Sequence, residues 1–388
     1  MLTVAQARQI VLATSAPLSA EEVPVEDAFG RVLAEEVRAA HDVPSFHGSA
    51  MDGYAVRSGA SDRRVRIVGE SRAGAPTDVA VGDGEAVRIS TGAALPDGAD
   101  AVLQQELVEE HEGAVTLLEA VQPGRNVRAP GEDMRAGELV LGPGRRLGPA
   151  ELGVAVNAGR AAVRCGRRPR VAVLATGDEL LPPGATLGRG QIHDSNLITL
   201  QAMARRADSD VVLARHVPDD AGATRRALKE ALEVADVVVL SGGVSVGPHD
   251  HVKGALSSLG VEERFWRVAL RPGKPTWFGA HGRTLVFGLP GNPVSAMVTF
   301  LLFARPALAA LQGAEPPVGA RAILGEPLSP HPDRDECVRV LIQDGVAYAT
   351  GPQGSHVMQS MALADALAVV PRGKLDLAAG DEVELIAI

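Results

Sequence analysis

The stretch Gly288-Leu289-Pro290-Gly291-Asn292-Pro293-Val294-Ser295-Ala296 decides the fold of the second half of the chain. It follows a short apolar strand predicted at residues 284–287 and opens a helix. Pro293 suits the first turn of that helix, because the amide hydrogen that proline lacks would have no partner there. Gly288 and Gly291 let the backbone turn sharply and approach a ligand closely. A helix N-terminus behind such a turn favours an anion, and an ordinary strand-to-helix connection is the alternative.

Residues 170–312 alternate apolar strands with helices. Strands are predicted at 171–174, 211–214, 236–240, 265–270 and 284–287, and helices at 196–206, 221–234, 251–259 and from 293 toward 311. This alternation predicts a doubly wound, mostly parallel α/β sheet. Ligands bind beyond the C-terminal ends of the strands in such sheets. A second glycine-rich loop, Ser241-Gly242-Gly243-Val244-Ser245-Val246-Gly247, is predicted at that edge.

Changes along the chain in the pattern of apolar segments and Gly/Pro turns predict four domains. Their expected bounds are 1–40 with 146–168 for a helical linking domain, 41–145 for an elongated β-rich domain, 169–313 for the α/β domain and 314–388 for a small C-terminal β-barrel-like domain. The linking domain should begin with a helix at 3–13 that is capped by Thr3. A second helical piece is predicted at 31–36.

Composition narrows the class of protein. With 388 residues and 46% hydrophobic residues, the chain can bury several cores. Its net charge of −10 argues against a nucleic-acid or membrane surface. The two cysteines, Cys165 and Cys337, form no CxxC pair and indicate a reducing compartment. The N-terminus does not resemble a signal peptide, and the apolar runs fall short of the roughly 18 residues that a membrane span needs. We therefore expect a cytoplasmic protein.

Carboxylates are predicted at the ligand-binding edge of the α/β sheet. Asp178, Glu179, Asp219 and Asp250 all follow predicted strands. Grouped acids repel one another unless a cation or a proton lies among them. Mg²⁺ takes oxygen ligands and bridges to substrate phosphates, so a magnesium site is predicted there. Helix capping or exposure to water is the alternative for each acid taken singly.

Basic residues and three motifs of the β-rich region complete the candidate set. Arg267, Arg271 and Lys274 lie close in sequence around a Pro-Gly turn and suit an oxyanion, although a solvated turn is the alternative. In the β-rich region the motifs are SAMDGYA at 49–55, RISTGA at 88–93 and Gly-Glu-Asp at 131–133. Spacing alone favours a simple hairpin for SAMDGYA, and the other two motifs taken singly are similarly weak signals.

Together, the ordered motifs resemble the molybdopterin molybdenumtransferases, a family similar to the E domain of gephyrin. The matching segments are SAMDGYA, RISTGA, Gly131–Asp133, TGDEL at 176–180, DSN at 194–196, SGGVSVG with Asp250, PGKP at 272–275 and GLPGNPVSA. The resemblance implies insertion of molybdate into the dithiolene of adenylylated molybdopterin, with release of AMP. It also implies a Mg²⁺ requirement and a homodimer whose site is shared between subunits. Molybdopterin adenylyltransferase and molybdoenzymes are the implied pathway partners.

The same resemblance assigns candidate residues. The implied catalytic residues are Asp52, Thr91, Asp133, Glu179, Asp219 and Asp250. The implied substrate-binding residues are Thr176, Gly177, Ser241, Gly242, Gly243, Ser245, Gly247, Arg267, Arg271, Lys274, Pro290, Gly291, Asn292 and Pro293. The implied metal ligands are Glu179 and Asp250.

The chain departs from the family pattern at several places, and other functions remain open. Arg267 and Arg271 stand where relatives often carry lysine, residues 248–251 lack a usual tyrosine, and residues 365–367 read Asp-Ala-Leu in place of Asn-Gly-Leu. The alternatives are a molybdopterin adenylyltransferase, a receptor-clustering scaffold, and a non-catalytic molybdate- or pterin-binding protein. The flanking β domains argue against the first, and the lack of long linkers argues against the second.

Overall fold

The computed structural model describes residues 1–244, 251–315, 319–374 and 376–388. The N-terminal part consists of helix α1 (Val4–Thr14), strand β1 (Ala20–Pro24), a 3₁₀ turn (Val25–Asp27) and strand β2 (Val37–Arg38). Thr3 caps α1 as predicted: its hydroxyl accepts from the Gln6 N–H at 3.1 Å, and Gln6 Oε1 accepts from the Thr3 N–H at 3.0 Å. This reciprocal pair is a capping box.

The helix predicted at 31–36 is wrong. Val32 and Leu33 instead form isolated β-bridges with Arg146 and Cys165. Strand β1 pairs with a later strand through Glu21 and Cys165, so this part is built from long-range pairing. The helix was predicted from six neighbouring residues, and such a short segment carries no information about β-bridge partners more than a hundred positions away.

The β-rich region is built mainly of short strands. They are β3 (Gly48–Ser49), β4 (Gly53–Val56), β5 (Arg64–Ser71), β6 (Glu85–Ile89), β7 (Ala101–Gln104), β8 (Val108–His111), β9 (Ala114–Leu117), β10 (Val127–Arg128) and β11 (Leu139–Leu141). Six of them form one sheet in the order β7-β4-β6-β5-β9-β8. The chain then returns through helix α2 (Pro149–Asn157) and strand β12 (Ala162–Gly166) to pair with β1.

The α/β region contains a mixed six-stranded sheet. Its elements are β13 (Arg170–Thr176), β14 (Leu180–Leu181), β15 (Ile192–His193), α3 (Ser195–Arg206), β16 (Asp210–Val217), α4 (Ala221–Val234), β17 (Val237–Ser241), α5 (Val252–Ser258), β18 (Glu262–Trp266), β19 (Leu270–Arg271), β20 (Trp277–His281), β21 (Thr284–Leu289), α6 (Pro293–Thr299), a π-helical turn (Phe300–Ala304) and α7 (Arg305–Leu311). The strand order is β16-β13-β17-β21-β20-β18. The first four strands pair in parallel, and β20 alone runs in the opposite direction, because it pairs antiparallel with both β21 and β18; this confirms a mostly parallel sheet.

Helices cover both faces of this sheet. Val173 and Val239 face a core that includes residues of α3 and of the helical segment Pro293–Leu311. Their neighbours Leu174 and Leu240 face the opposite core, which α4 and α5 close. Successive side chains of a strand point to opposite faces, so continuous apolar strands are expected where both faces are covered. The doubly wound arrangement follows from this pattern.

The C-terminal region forms a closed five-stranded barrel. Its elements are β22 (Ala320–Leu324), β23 (Asp335–Gln343), β24 (Val346–Ala349), α8 (Met358–Ala362), β25 (Ala366–Val370) and β26 (Glu382–Ala387). The strands follow the order β23-β24-β22-β26-β25, and β25 pairs back onto β23. Strand β19 of the α/β region adds to the barrel through β23, which ties the two regions together.

The last helix of the α/β region corrects one expectation. The helical segment Pro293–Leu311 spans 19 residues and is long and apolar enough to cross a membrane. The sequence had suggested that every apolar run falls short of this length. In the folded chain, however, 72% of the apolar window is buried within the protein. Burial against the sheet explains its composition.

Candidate active site

Parallel pairing brings the ends of the central strands to one edge of the α/β sheet. Thr176 lies beside Val217, and Ser241 lies beside Leu289. The loops that follow these strands therefore meet at a common rim. As predicted, this rim carries the carboxylates at 178, 179 and 219, together with Gly242, Gly243, Gly288 and Gly291. The acids are exposed, whereas Thr176 and Ser241 are buried beneath them.

Asn196 fastens the two glycine-rich loops together. Its Nδ2 donates to Ser241 Oγ and to the Gly291 carbonyl, each at 2.7 Å. The Gly242 N–H donates to the Leu289 carbonyl at 3.1 Å. Asn196 lies in the first turn of α3 and belongs to the DSN motif, to which the sequence analysis gave no role. Asn196 is only 6% exposed, so this buried side chain is part of the site architecture.

Gly242 is required by its surroundings. Its φ is +88°, and a Cβ there would lie 2.7 Å from the Thr176 carbonyl and 2.8 Å from Thr176 Oγ1. Both conditions favour glycine, which has no side chain to clash and tolerates positive φ. Thr176 and Gly242 can therefore lie in close contact at the rim, with Thr176 Oγ1 donating to the Ser241 carbonyl at 3.5 Å.

Asp178 and Asp219 lock the rim loops against each other. Asp178 Oδ1 accepts from the Asp219 N–H at 3.0 Å, and Asp219 Oδ2 accepts from the Asp178 N–H at 3.4 Å. His216 Nε2 lies 2.8 Å from the Gly177 carbonyl and adds a contact to the same loop. Two carboxylates are thereby held close together directly beside Glu179. Mutual repulsion between such groups favours a cation in their vicinity.

The number and type of carboxylates at the rim determine whether these residues fit a Mg²⁺ ion. Within residues 1–244, 251–315, 319–374 and 376–388, no group of three His, Cys, Asp or Glu side chains has the spacing of a metal site. Mg²⁺, however, is commonly held by one or two carboxylates and completes its shell with water and substrate phosphates. The exposed carboxylates of Glu179 and Asp219 suit that mode. Asp250, the second predicted ligand, lies outside the described residues, as do Ser245 and Gly247.

Arg267 occupies an unusual backbone conformation. Its φ is +70°, and its N–H donates to the Thr276 carbonyl at 2.9 Å. Its Cζ lies 4.0 Å from the centroid of the Trp266 ring. The positive φ ends strand β18 at Trp266, so the strand predicted at 265–270 is split into two shorter ones. The interruption turns Arg267 out of the strand.

The two other cations have different environments. Arg271 Nη1 lies 3.5 Å from Glu336 Oε1 in the barrel, and the arginine side chain is 52% exposed. Lys274 is half-buried, and its carbonyl accepts from the Val268 N–H at 3.1 Å. In the part of the chain that the structure describes, the Lys274 ammonium has no ion pair. The three predicted cations thus lie on one loop, but Arg271 is engaged by the barrel.

The barrel also contacts the helix that follows the second glycine-rich loop. Asn292 Nδ2 donates to Ser355 Oγ at 3.0 Å, and the Val294 N–H donates to the Ser355 carbonyl at 3.1 Å. Pro293 lies in the first turn of the helix, as predicted, and Pro290 is buried just before it. The Ser355 contact was missed, because nothing in the local sequence links residues that are 63 positions apart.

A buried arginine holds the loop that carries Ser355. Arg339 is only 1% exposed, and its Nη1 donates to the Gly354 carbonyl at 3.0 Å. Its Nη2 donates to the Pro352 carbonyl at 3.1 Å, and its Nε to Gln353 Oε1 at 3.0 Å. Burial of a charge is tolerated only where it is hydrogen-bonded, and these carbonyls supply that compensation. Arg339 therefore fixes the loop at the edge of the site.

In the β-rich region, Asp52 and Thr91 lie together. Asp52 Oδ1 accepts from the Thr91 N–H at 2.7 Å, which joins the SAMDGYA and RISTGA motifs. Asp133 is exposed on a separate turn, where its N–H donates to the Val43 carbonyl at 2.9 Å. Across the described ranges, no hydrogen bond or ion pair links these three residues to the rim of the α/β sheet.

A polar network supports the Asp52 and Thr91 pair. The Tyr54 hydroxyl donates to Glu110 Oε2 at 2.5 Å, and Arg88 Nη2 donates to both Glu110 oxygens at 2.6 and 2.7 Å. Burial, followed by the hydrogen bond to Glu110, raises the pKa of Tyr54 to about 12. The same hydrogen bond is the main reason that the pKa of Glu110 is lowered. The network ties strands β4, β6 and β8 together beneath both motifs.

Comparison with known families accounts for nearly the whole chain. Residues 2–159 match the MoeA N-terminal region (domain I and II), residues 172–310 match a probable molybdopterin binding domain, and residues 321–388 match the MoeA C-terminal region (domain IV). The matches to the N- and C-terminal regions separate this chain from proteins that consist of the molybdopterin-binding domain alone.

Relatives and solved structures agree with these matches. A molybdopterin molybdenumtransferase of Haemophilus influenzae is 36% identical over 99% of this chain and 98% of its own length. One from Staphylococcus aureus is 33% identical over 99% of this chain and 95% of its own. The crystal structure of a molybdopterin biosynthesis moeA protein from Pyrococcus horikoshii is 28% identical, covers both chains completely and superimposes with a TM-score of 0.86. The chain belongs to the molybdopterin molybdenumtransferase (MoeA) family.

Proposed function

We propose that this chain is an enzyme of molybdenum cofactor biosynthesis that inserts molybdate into the dithiolene of adenylylated molybdopterin and releases AMP. The observation that carries the proposal is the rim at which Asn196 joins the loops after β17 and β21, next to the Asp178 and Asp219 pair. Two glycine-rich loops with acids and cations nearby suit a substrate that carries a phosphoanhydride. The family relationship identifies that substrate class.

Each group of rim residues has a proposed task. Backbone groups of Thr176, Gly177, Ser241, Gly242 and Gly243, with the loop from Pro290 to Pro293, bind the pterin and its phosphates. Arg267, Arg271 and Lys274 neutralise the oxyanions, with bidentate contacts from the arginines and a point charge from the lysine. Ser245 and Gly247 extend the first loop in this proposal.

The carboxylates are proposed to organise the reacting groups. Glu179 and Asp250 would hold Mg²⁺, which supplies charge neutralisation and orientation of the phosphate oxygens when it is bound. Asp219 is held by Asp178, the sequence neighbour of Glu179, and would orient a molybdate oxygen or a water molecule. Glu179 and Asp219 are exposed, so they are available to ligands.

A homodimer with shared sites is also part of the proposal. Among the residues that the structure describes, no hydrogen bond or ion pair joins Asp52, Thr91 or Asp133 to the rim of the same chain. A partner subunit that presents its β-rich region to that rim would complete the site, and the two-fold symmetry of a dimer would create two such sites. The four-domain division, with bounds at 40, 145, 168 and 313, gives each subunit one rim and one β-rich region.

The cellular setting follows from the pathway. An adenylyltransferase must supply the adenylylated pterin, and molybdoenzymes consume the product. We propose a cytoplasmic location, in keeping with two buried, unpaired cysteines. Tungstate is nearly the same tetrahedral oxyanion as molybdate and is an alternative metal source.

The test is a reaction of the purified protein with adenylylated molybdopterin, Mg²⁺ and molybdate. AMP is followed by chromatography, and cofactor formation by its ability to activate a cofactor-free molybdoenzyme. The proposal expects AMP release that rises with molybdate concentration and yields active cofactor. Tight binding of the pterin without AMP release would instead identify a binding protein.

A further inference from the structure

Trp266 contacts three parts of the molecule at the edge of the candidate site. Its indole N–H donates to the Val244 carbonyl at 3.2 Å, so it binds the end of the loop that begins at Ser241. Its ring lies 4.0 Å from Arg267 Cζ and 3.0 Å from Lys253 Nζ. The residue is half-buried and ends strand β18. A glycine-rich loop and two cations therefore share one side chain.

The backbone at Arg267 shows that its position is imposed by the surroundings. A φ of +70° is uncommon for a residue with a side chain. Such conformations persist where neighbouring contacts determine them, and they cluster at functional sites. Here one contact is the hydrogen bond from the Arg267 N–H to the Thr276 carbonyl at 2.9 Å, and the other is the stack on Trp266.

An arginine stacked on an aromatic ring keeps its N–H donors and its charge available to an anion, whereas an arginine in an ion pair does not. A carboxylate partner would occupy the N–H donors of a guanidinium and cancel its charge, whereas an aromatic face attracts the cation and leaves the donors at its edge accessible. Arg267 makes no ion pair with any residue in the described ranges. The guanidinium plane is thus oriented while its charge remains effective toward an anion.

We propose that Trp266 is a positioning residue of the active site. It orients the Arg267 guanidinium through the ring face and fixes the Ser241–Val244 loop through its indole N–H. This inference rests on the proposed function, in which Arg267 binds an oxyanion of molybdate or of the pterin phosphates. Trp266 itself contacts neither substrate.

The experiment compares Trp266→Leu, Trp266→Phe and Arg267→Ala with the double variant Trp266→Leu/Arg267→Ala. KM and kcat are measured separately for molybdate and for adenylylated molybdopterin, and each Tm is recorded. Trp266→Leu should raise KM for the same substrate that Arg267→Ala affects, by about three- to thirtyfold. Trp266→Phe keeps an aromatic face and should recover part of that loss, and it serves as the test variant if the leucine protein does not fold.

A matched control is Trp277→Phe. Trp277 is the other tryptophan and pairs with Trp266 between strands β20 and β18, but its indole N–H donates to Glu263 Oε2 at 2.6 Å. Its replacement removes the same kind of hydrogen bond from the same sheet. It should lower Tm yet leave both KM values within about twofold, because in the described ranges the Trp277 ring contacts no cation and its N–H bonds only to Glu263.

The double variant separates the possible outcomes. If Trp266 acts through Arg267, the KM of the double variant should lie within about twofold of the KM of the more impaired single variant. Fully additive losses, or a KM effect on a different substrate, would overturn the positioning role and leave the proposed function intact. An Arg267→Ala protein with unchanged constants would instead remove Arg267 from the proposed oxyanion site, and this inference with it.

Discussion

Asp178 and Asp219 accept hydrogen bonds from each other's backbone N–H groups, at 3.0 Å and 3.4 Å. This exchange joins the loops after two neighbouring parallel strands and brings two carboxylates together beside Glu179. Each acid thus has a structural task as well as a possible chemical one. Substitutions that keep the acceptor oxygen but remove the charge can distinguish the two tasks.

Asp178→Ala should lower activity by about tenfold to a hundredfold. It removes a charge-assisted hydrogen bond, worth roughly 1.5–3 kcal/mol, that holds the Asp219 loop. Asp178→Asn keeps an acceptor oxygen and should retain most of the activity if the role is structural. Rates of AMP release measured over a range of Mg²⁺ concentrations provide the comparison. An Asn variant as defective as the Ala variant would show that the negative charge itself is needed.

The contact between the barrel and the rim gives a second prediction. Ser355→Ala removes the acceptor for Asn292 Nδ2 but keeps the backbone carbonyl that accepts from Val294. A single hydrogen bond contributes about 1 kcal/mol, so we expect about a fivefold fall in kcat/KM and an almost unchanged Tm. Ser329→Ala, on the barrel surface, is the control and should behave like the parent protein. Parent-like kinetics for Ser355→Ala would mean that the barrel does not help to set the rim.

The sequence predicted the local features of the fold well. Thr3 capped the first helix, helix 221–234 had the expected bounds, and Pro293 began the last helix, because each depends on residues close in sequence. The helix predicted at 31–36 was wrong because partners at 146 and 165 impose β-bridges there. Long-range pairing overrides local preference in such segments.

Only part of the candidate site could be predicted, because local sequence signals do not reveal long-range contacts. Strand ends and glycine-rich loops are visible in the sequence, so the rim could be located. The roles of Asn196, Trp266 and Ser355 were missed, because each makes a hydrogen bond to a residue 22 to 95 positions away. Their contacts depend on the topology of the sheet and on the attachment of the barrel, which no local pattern encodes.

Subunit complementation tests the shared site. Asp52→Ala and Glu179→Ala should each be inactive, since they remove a residue from opposite sides of the proposed site. A mixed dimer would hold one intact site, so mixing the two proteins should restore up to about one quarter of the parent activity. Exchange of subunits is verified with differently tagged chains. Confirmed exchange without recovery would argue that both residues act within one subunit.

Lys274 is predicted to bind an oxyanion. Lys274 is half-buried and its ammonium makes no ion pair within the described ranges, so it can meet a dianion in a protein of net charge −10. Lys274→Ala should weaken molybdate binding by about tenfold to a hundredfold, from the loss of roughly 1.5–3 kcal/mol, with little change in Tm. Lys274→Arg should rescue only partly, because a planar fork cannot replace a point charge. A molybdate dependence like that of the parent at saturating adenylylated pterin would restrict Lys274 to a surface role.

The stoichiometry of one turnover tests directly whether this rim inserts molybdenum. Excess protein is mixed with a limiting amount of adenylylated molybdopterin, Mg²⁺ and molybdate, and both AMP and pterin-bound molybdenum are quantified. The account predicts equal amounts of the two products, formed together, dependent on molybdate and strongly reduced in Glu179→Gln. AMP without pterin-bound molybdenum, or pterin bound intact with no AMP at all, would contradict the assignment of this rim as a molybdenum-inserting site.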